Sequence, residues 1–178
     1  MERTKWTERI FTFDFPEGLL PNVLERLRGV ESRLKAMTHE IDDAVTLEKK
    51  AGKWSIREHI GHLVDLEDIH MGRVREMMAG KPELTAADMK NVKTEEAEYN
   101  TKNINDLIAA FTIKRNNFIQ LLESLDDETQ HFQSLHPRLQ VRMRPVDMAF
   151  FIAEHDDHHL TSIREILKKQ PDPLNLTP

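Results

Sequence analysis

Near the C-terminus the chain reads Met148-Ala149-Phe150-Phe151-Ile152-Ala153-Glu154-His155-Asp156-Asp157-His158-His159-Leu160. Arranged as a helix at about 100° per residue, this stretch begins an apolar stripe that includes two histidines. The stripe consists of Met148, Ile152, His155, His159, Ile163 and Ile166. Because His155 and His159 are one turn apart, their rings point toward one place, which is how a helix offers two ligands to a metal ion.

The same spacing has a simpler explanation. Nine histidines in 178 residues make one such pair expected by chance, so hydrogen-bonded histidines, or histidines at the edge of the core, are the alternative. His158 lies about 60° to 100° around the helix from the pair and is the weaker candidate ligand.

Length and composition limit the classes of protein to consider. A chain of 178 residues is expected to form one domain, 1–178, with a core of its own. The net charge of −6 argues against a nucleic-acid partner. The absence of cysteine excludes disulfides, thiolate ligands and a protein thiol nucleophile. No long apolar run or signal peptide is visible, which predicts a cytoplasmic protein without a membrane partner.

Four further segments complete the predicted architecture. Alternating phenylalanines at Phe11, Phe13 and Phe15 predict an extended N-terminal arm over residues 1–18. Apolar periodicity predicts long helices over residues 20–45, 55–80, 101–125 and 145–169, with a tail over 171–178. We expect a short helical turn over 85–89 and an irregular segment over 126–144. Four helices with one apolar face each predict an all-α fold, a four-helix bundle.

The second helix carries a third candidate ligand, His62, on the flank of its apolar face. Ser55 and Glu58 form a predicted capping box at the start of this helix. His59 and His70 are expected at the border of the face. Three histidines from two facing helices would leave a position for water or substrate, as in catalytic metal sites.

Several charged residues fall on or near apolar faces. Glu67 and Arg115 are both predicted to point into the core, where each needs the other as a partner. Asp65 and Asp156 are candidates to orient a ligand histidine, although both are expected to face solvent.

Basic residues of the predicted irregular segment form another candidate feature. Arg138, Arg142 and Arg144 follow His136 and Pro137. They are interpreted either as the mouth of a cavity that attracts an anion or, more simply, as a basic loop.

Three motifs make the sequence similar to a known family, the DinB/YfiT-like superfamily. The segment 53–63, Lys-Trp-Ser-Ile-Arg-Glu-His-Ile-Gly-His-Leu, resembles the family's Trp-Ser…His motif. The segment 153–160 resembles its closing His-x-x-x-His, and Phe111 with Arg115 resembles a recurring Phe-x-x-x-Arg. Each motif is short, but their order and spacing agree from about Phe11 to Leu167.

The resemblance implies an up-down-down-up order of the four helices and a protein that is often a homodimer. It also implies one divalent metal ion held by three histidines, which correspond to His62, His155 and His159. Imidazole ligands are compatible with zinc or nickel, the two ions most expected, and with iron, manganese or cobalt. Glu67, Arg115, His158 and Asp65 are then candidates to support the site or line its cavity. The N-terminal arm and the loop at His136 are outside the common pattern.

The family includes bacillithiol S-transferases and mycothiol-dependent isomerases. The resemblance therefore favours a metal-dependent hydrolase or a small-thiol S-transferase acting on a small-molecule substrate. Any thiol must come from a low-molecular-weight cosubstrate, because the chain has no cysteine. The alternatives are a non-catalytic bundle that binds a metal or ligand, and a purely structural bundle whose histidines pack or form hydrogen bonds.

Overall fold

A computed structural model describes residues 3–49 and 53–168. Within these ranges the regular elements are α1 (Leu20–Thr38), α2 (Asp43–Thr46), α3 (Ile56–Met78), α4 (Val92–Glu96), α5 (Ile104–Glu123), β1 (Ser134–His136), β2 (Val141–Met143) and α6 (Pro145–Leu167). Short 3-10 turns occupy Trp6–Glu8, Glu17–Leu19, Tyr99–Thr101 and Thr129–His131.

The four long helices form a bundle in which α1 and α3 each pack against both α5 and α6. One half of the core joins the start of α1 and of α6 to the ends of α3 and α5. The other half joins the opposite ends of the same helices. Helices α1 and α6 therefore run one way and α3 and α5 the other, which is the up-down-down-up order.

The start of α3 is fixed by the predicted capping box. The Ser55 side chain accepts a hydrogen bond from the Glu58 amide, and the Glu58 carboxylate accepts one from the Ser55 amide. This satisfies two amides of the first turn and sets the helical phase that places the following histidines.

Several predicted boundaries were wrong. The first helix ends at Thr38 rather than near residue 45, because Glu40 has a φ of 54° and a separate short helix, α2, follows. A helical turn over 85–89 does not form, and the short helix of that connection is α4. The predicted tail over 171–178 lies outside the described residues.

The segment 126–144 is also more regular than predicted, since it contains the antiparallel hairpin of β1 and β2. The Leu135 amide donates to the Pro82 carbonyl at 2.8 Å, and the Leu84 amide donates to the Leu135 carbonyl at 3.0 Å. These bonds tie the hairpin to the chain after α3 and thereby fix the position of His136.

The N-terminal arm lies across the bundle. Phe11 stacks against Phe13 and meets the edge of Phe151 on α6, with ring centroids 5.2 Å apart. Arg9 also forms an ion pair with Glu154 at 2.6 Å. The arm thus covers the start of α6 and brings Trp6 beside its histidines. No helix within the described residues is long and apolar enough to cross a membrane.

Candidate metal centre

Three histidines from two helices meet near the middle of the bundle. His62 of α3 and His155 and His159 of α6 each offer a ring nitrogen, and these nitrogens all lie within 4.8 Å of one another. The Nε2 atoms of His155 and His159 are 3.1 Å apart. All three residues are buried. We refer to them as the histidine triad.

The electrostatic environment keeps the triad neutral. Burial, followed by the charges of nearby groups, lowers the pKa of both His155 and His159 well below the ordinary value. Burial likewise lowers the pKa of His62 to about 4, although Asp65 opposes this shift. Neutral imidazoles have a free lone pair, which is the form that binds a metal ion.

The ring of His159 is held by a fourth histidine. Nδ1 of His159 is 2.9 Å from Nδ1 of His59, which is buried on the preceding turn of α3 from His62. Burial and the neighbouring His62 lower the pKa of His59 to about 3, so both rings are neutral and one nitrogen of the pair carries a hydrogen. If His159 donates from Nδ1, its Nε2 is left with a lone pair directed at the triad.

The ring of His62 is held by a hydroxyl and a carboxylate in series. Nδ1 of His62 is 3.1 Å from the Thr94 hydroxyl, which donates to Asp65 Oδ2 at 2.9 Å. Asp65 Oδ1 accepts a second bond from the Tyr99 hydroxyl at 2.7 Å. A hydroxyl that donates to a carboxylate is left to accept from Nδ1–H of His62, so Nε2 of that ring is free to act as a ligand.

A glycine makes this arrangement possible. A Cβ atom at Gly61 would lie 2.3 Å from the ring of Tyr99, so only glycine lets that ring pack directly on α3. Asp65, which was expected to face solvent, is therefore buried beneath Tyr99 and Thr94.

His155 has a different environment from the other two members. Its Nδ1 is buried and has no hydrogen-bond partner in the part of the chain that the structure describes. The ring of Trp6, contributed by the N-terminal arm, meets the His155 ring edge to face with centroids 4.8 Å apart. The arm therefore shields His155 from solvent, although the sequence pattern places the arm outside the four helices.

A cavity of about 530 Å³ opens beside the triad. All three histidines line it, together with His158, which is half-buried. Burial lowers the pKa of His158 to about 4, so it too is neutral at neutral pH. The other walls include Trp6, Trp54, Leu66, Ile69, His70, Arg73, Met89, His136, Arg138 and Phe151.

The triad fits a divalent metal ion. Two nitrogens bound to one tetrahedral ion at about 2.0–2.1 Å are separated by about 3.3 Å, close to the 3.1 Å between Nε2 of His155 and Nε2 of His159. The three rings are neutral and buried, and two of them have partners for their other nitrogen. Imidazoles of this kind suit zinc, nickel, iron, manganese or cobalt.

A second buried polar group, which we call the Arg115 cluster, consists of Glu67, Arg115 and Asp156. Arg115 donates to Glu67 Oε1 at 2.6 Å and to Asp156 Oδ1 at 3.1 Å. The predicted pairing of Glu67 with Arg115 is confirmed. Asp156 was wrongly expected to face solvent, because α6 is covered by both α1 and α3 and has almost no exposed side.

Opposing effects set the ionisation of the Arg115 cluster. Burial would raise the pKa of Glu67, but Arg115 and His70 outweigh it and lower that pKa to about 2. Burial raises the pKa of Asp156 despite the same guanidinium. The two carboxylates raise the pKa of Arg115 against the effect of burial. Glu67 and Arg115 are thus opposite charges in direct contact, and Asp156 accepts hydrogen bonds from the same guanidinium.

Several supporting residues were missed or misplaced. His59 and His70 were expected at a border but are both buried. His59 lies three residues before His62, a spacing that could have shown that the two share a helix face. Thr94 lies on α4, after a polar connection whose sequence carries no signal for its position.

The three arginines predicted to form a cavity mouth or basic loop differ from one another. Arg138 lines the cavity, whereas Arg142 is exposed. Arg144 pairs with Asp147 and with Glu17 of the segment before α1, so its charge is used within the fold.

Comparisons with known proteins agree with this architecture. YfiT from Bacillus subtilis, described as a probable metal-dependent hydrolase with an unusual four-helix bundle topology, matches with a TM-score of 0.79 and 18% identity, over 90% of this chain and 93% of that one. The mycothiol-dependent maleylpyruvate isomerase matches with a TM-score of 0.66 and 13% identity, over 84% of this chain and 61% of that one. No significant match to a curated protein sequence is found. The model of the DinB superfamily matches residues 26–163, and the chain belongs to that superfamily.

Proposed function

We propose that this protein is a metal-dependent enzyme in which His62, His155 and His159 hold one divalent ion. The reaction is the attack of water, or of a small thiol, on a small-molecule substrate bound in the adjoining cavity. Zinc and nickel are the ions expected first, and iron, manganese and cobalt suit the same ligands.

One observation carries the proposal: the triad forms part of the wall of a 530 Å³ cavity. A non-catalytic site would be expected to enclose its ion with protein ligands and to have no substrate-sized space beside it. A purely structural cluster would have no need of three neutral imidazoles converging at the wall of a cavity. The cavity therefore favours an enzyme over both alternatives.

The neighbouring residues have distinct roles in this proposal. A divalent ion on three neutral imidazoles would lower the pKa of water or a thiol and polarise an electrophile. His59 and Thr94 orient the rings of His159 and His62 through the hydrogen bonds described above. His158, neutral and at the same cavity wall, offers a nitrogen that can accept a proton from the nucleophile.

The fold relatives support two reaction types. YfiT is described as a probable hydrolase, whereas the isomerase depends on mycothiol. A thiol reaction in this chain needs a cosubstrate, because the sequence contains no cysteine. Hydrolysis needs only water and is the first reaction to test.

The test is a comparison of activities with the metal site intact or removed. Tag-free protein, stripped and then reloaded separately with zinc, nickel, iron, manganese or cobalt, is assayed with aryl esters, and with an aryl chloride plus a small thiol. Turnover is expected with at least one metal and is expected to disappear in the His155→Ala/His159→Ala variant. Equal rates in both proteins with every metal would contradict the proposal.

We also infer that the protein is a homodimer, as the family resemblance implies. Light scattering coupled to size-exclusion chromatography should give a mass near twice that of the 20.8 kDa chain. A single-chain mass at micromolar concentration would contradict this inference.

A further inference from the structure

The cavity has a second polar group, formed by Arg73, His136 and Arg138. Arg73 lies on α3 and is buried, His136 ends β1, and Arg138 follows in the hairpin turn. All three line the same cavity as the histidine triad. Arg138 is also close enough to His155 that its charge contributes to the lowered pKa of that histidine.

His136 lies between two hydrogen-bond donors. The Leu139 amide is 3.2 Å from Nδ1, and Nη1 of Arg73 is 3.2 Å from Nε2. Burial, followed by the charges of Arg73 and Arg138, lowers the pKa of His136 to about 3, so the ring is neutral. A neutral ring has one lone pair, so it accepts from only one of these donors and leaves the other without an acceptor at the ring.

Two observations show that no carboxylate contacts the cationic groups at this place within the described residues. Nη2 of Arg138 is buried and has no hydrogen-bond partner there. Neither Arg73 nor Arg138 forms an ion pair with a described carboxylate, and burial lowers the pKa of both guanidinium groups, although the charge of Glu76 opposes this shift for Arg73. Arg144 in the same segment differs, since two carboxylates neutralise it.

An anion would pair with both guanidinium groups. One oxygen could accept from Arg73, and a second oxygen could accept from Nη2 of Arg138. The surroundings are apolar, because the guanidinium carbon of Arg138 lies 5.7 Å from the ring centroids of both Trp6 and Phe151. Leu66 and Ile69 form other parts of the cavity wall. A planar, delocalised anion on a hydrophobic body fits this combination.

We propose that Arg73, His136 and Arg138 form a binding subsite for the carboxylate of an organic acid. That the acid is the substrate, with its reacting group at the histidine triad, rests on the proposed function. The anion subsite itself does not require a metal ion, so it can be tested separately.

The test uses benzoate as the probe and benzamide, its uncharged isostere, as the control ligand. Calorimetric titration of the wild-type protein is expected to show binding of benzoate at least about tenfold tighter than that of benzamide, because charge-assisted hydrogen bonds are lost with the amide. The Arg138→Met variant, which removes the buried unpaired donor from the hairpin turn, is expected to reduce this preference by about tenfold. Arg142→Met, an exposed change on the same hairpin, should leave it unaltered.

Two further variants distinguish binding at the anion subsite from binding at the metal site. Arg73→Met should also reduce the preference, and circular dichroism checks that this buried substitution leaves the helices formed. The His155→Ala/His159→Ala variant should keep the preference, even if it has lost metal binding and activity. In that case the proposed function would fail on its own measurement while the subsite remained.

The proposal would be overturned by equal binding of benzoate and benzamide, or by a preference that survives both arginine substitutions. A preference lost in the double histidine variant but kept in Arg138→Met would place the anion on the metal and likewise overturn it. Tighter binding of phosphate than of benzoate, still dependent on Arg138, would overturn the assignment to carboxylates.

Discussion

The histidine triad and the Arg115 cluster are both buried polar groups in one bundle, yet they differ in how their members contact one another. In the Arg115 cluster a guanidinium lies between Glu67 and Asp156 and contacts both. In the triad no carboxylate of the described residues touches the rings, and the three nitrogens converge on one another instead. The first cluster consists of charged groups in contact, whereas the second consists of neutral rings.

The difference supports our proposal that the Arg115 cluster serves the fold and the triad serves a ligand. Buried charges that contact their partners hold helices in register, because either partner alone would be left uncompensated. The neutral imidazoles contact one another instead, since Nε2 of His159 lies 3.1 Å from Nε2 of His155 and its Nδ1 lies 2.9 Å from Nδ1 of His59. In our proposal, their convergence at a cavity wall serves an ion that binds from outside the chain.

Removing the Arg115 guanidinium tests whether the Arg115 cluster stabilises the fold. Arg115→Met leaves two carboxylates in the core without their partner and should lower the free energy of unfolding by about 3–5 kcal/mol. Urea unfolding followed by circular dichroism measures this change. Arg28→Met, which removes an exposed ion-paired arginine, is the control and should have little effect. A similarly small loss for both variants would mean that the Arg115 cluster is not structural.

Removing the hydrogen-bond partner of one triad ring tests whether that partner orients the ring toward a metal ion. Thr94→Val removes the hydroxyl between His62 and Asp65, and metal affinity should fall about 10- to 100-fold while the fold is kept. Thr94→Ser retains the hydroxyl and should restore most of the affinity. Competition with a chromophoric chelator gives both dissociation constants. Equal affinity of the valine variant and the wild type would show that Thr94 does not orient the ligand.

The pH dependence of the free energy of unfolding tests the protonation state of His136, which belongs to the anion subsite. The pKa of His136 is about 3 in the folded protein, below its ordinary value near 6.5, so the unfolded chain binds its proton first as the pH falls. His136 therefore makes stability decrease from about pH 6.5 toward pH 3, by at most about 1.4 kcal/mol per pH unit. His136→Gln should reduce that slope in urea titrations of metal-free protein. An unchanged slope would contradict the neutral state of His136.

Much of this architecture could be predicted from the sequence, because apolar residues recur with helical periodicity in all four long helices. His155 and His159 followed from their spacing on one helix face. His62 was a third candidate from its place on the second helix of the predicted bundle, and the family resemblance then implied that it is a ligand. The N-terminal arm was recognised from its alternating phenylalanines, but not its contact with His155 through Trp6.

The parts that could not be predicted depend on contacts between segments distant in sequence. Asp156 is polar and follows a candidate ligand directly, so only the packing of α6 between two helices reveals that it is buried. Thr94 contacts His62, and Tyr99 packs against Gly61, and neither contact has a local pattern in the sequence. The hairpin strands have three residues each, too few for alternation to be recognised.

The most direct test of the central claim is the metal content per chain of tag-free protein, for the wild type beside the His155→Ala/His159→Ala variant. Tag-free protein is needed because an affinity tag can introduce nickel. We expect close to one equivalent of a divalent metal in the wild type and none in the variant, with both proteins folded. Negligible metal in both after incubation with zinc, nickel, iron, manganese and cobalt would contradict the account and make the triad a structural cluster.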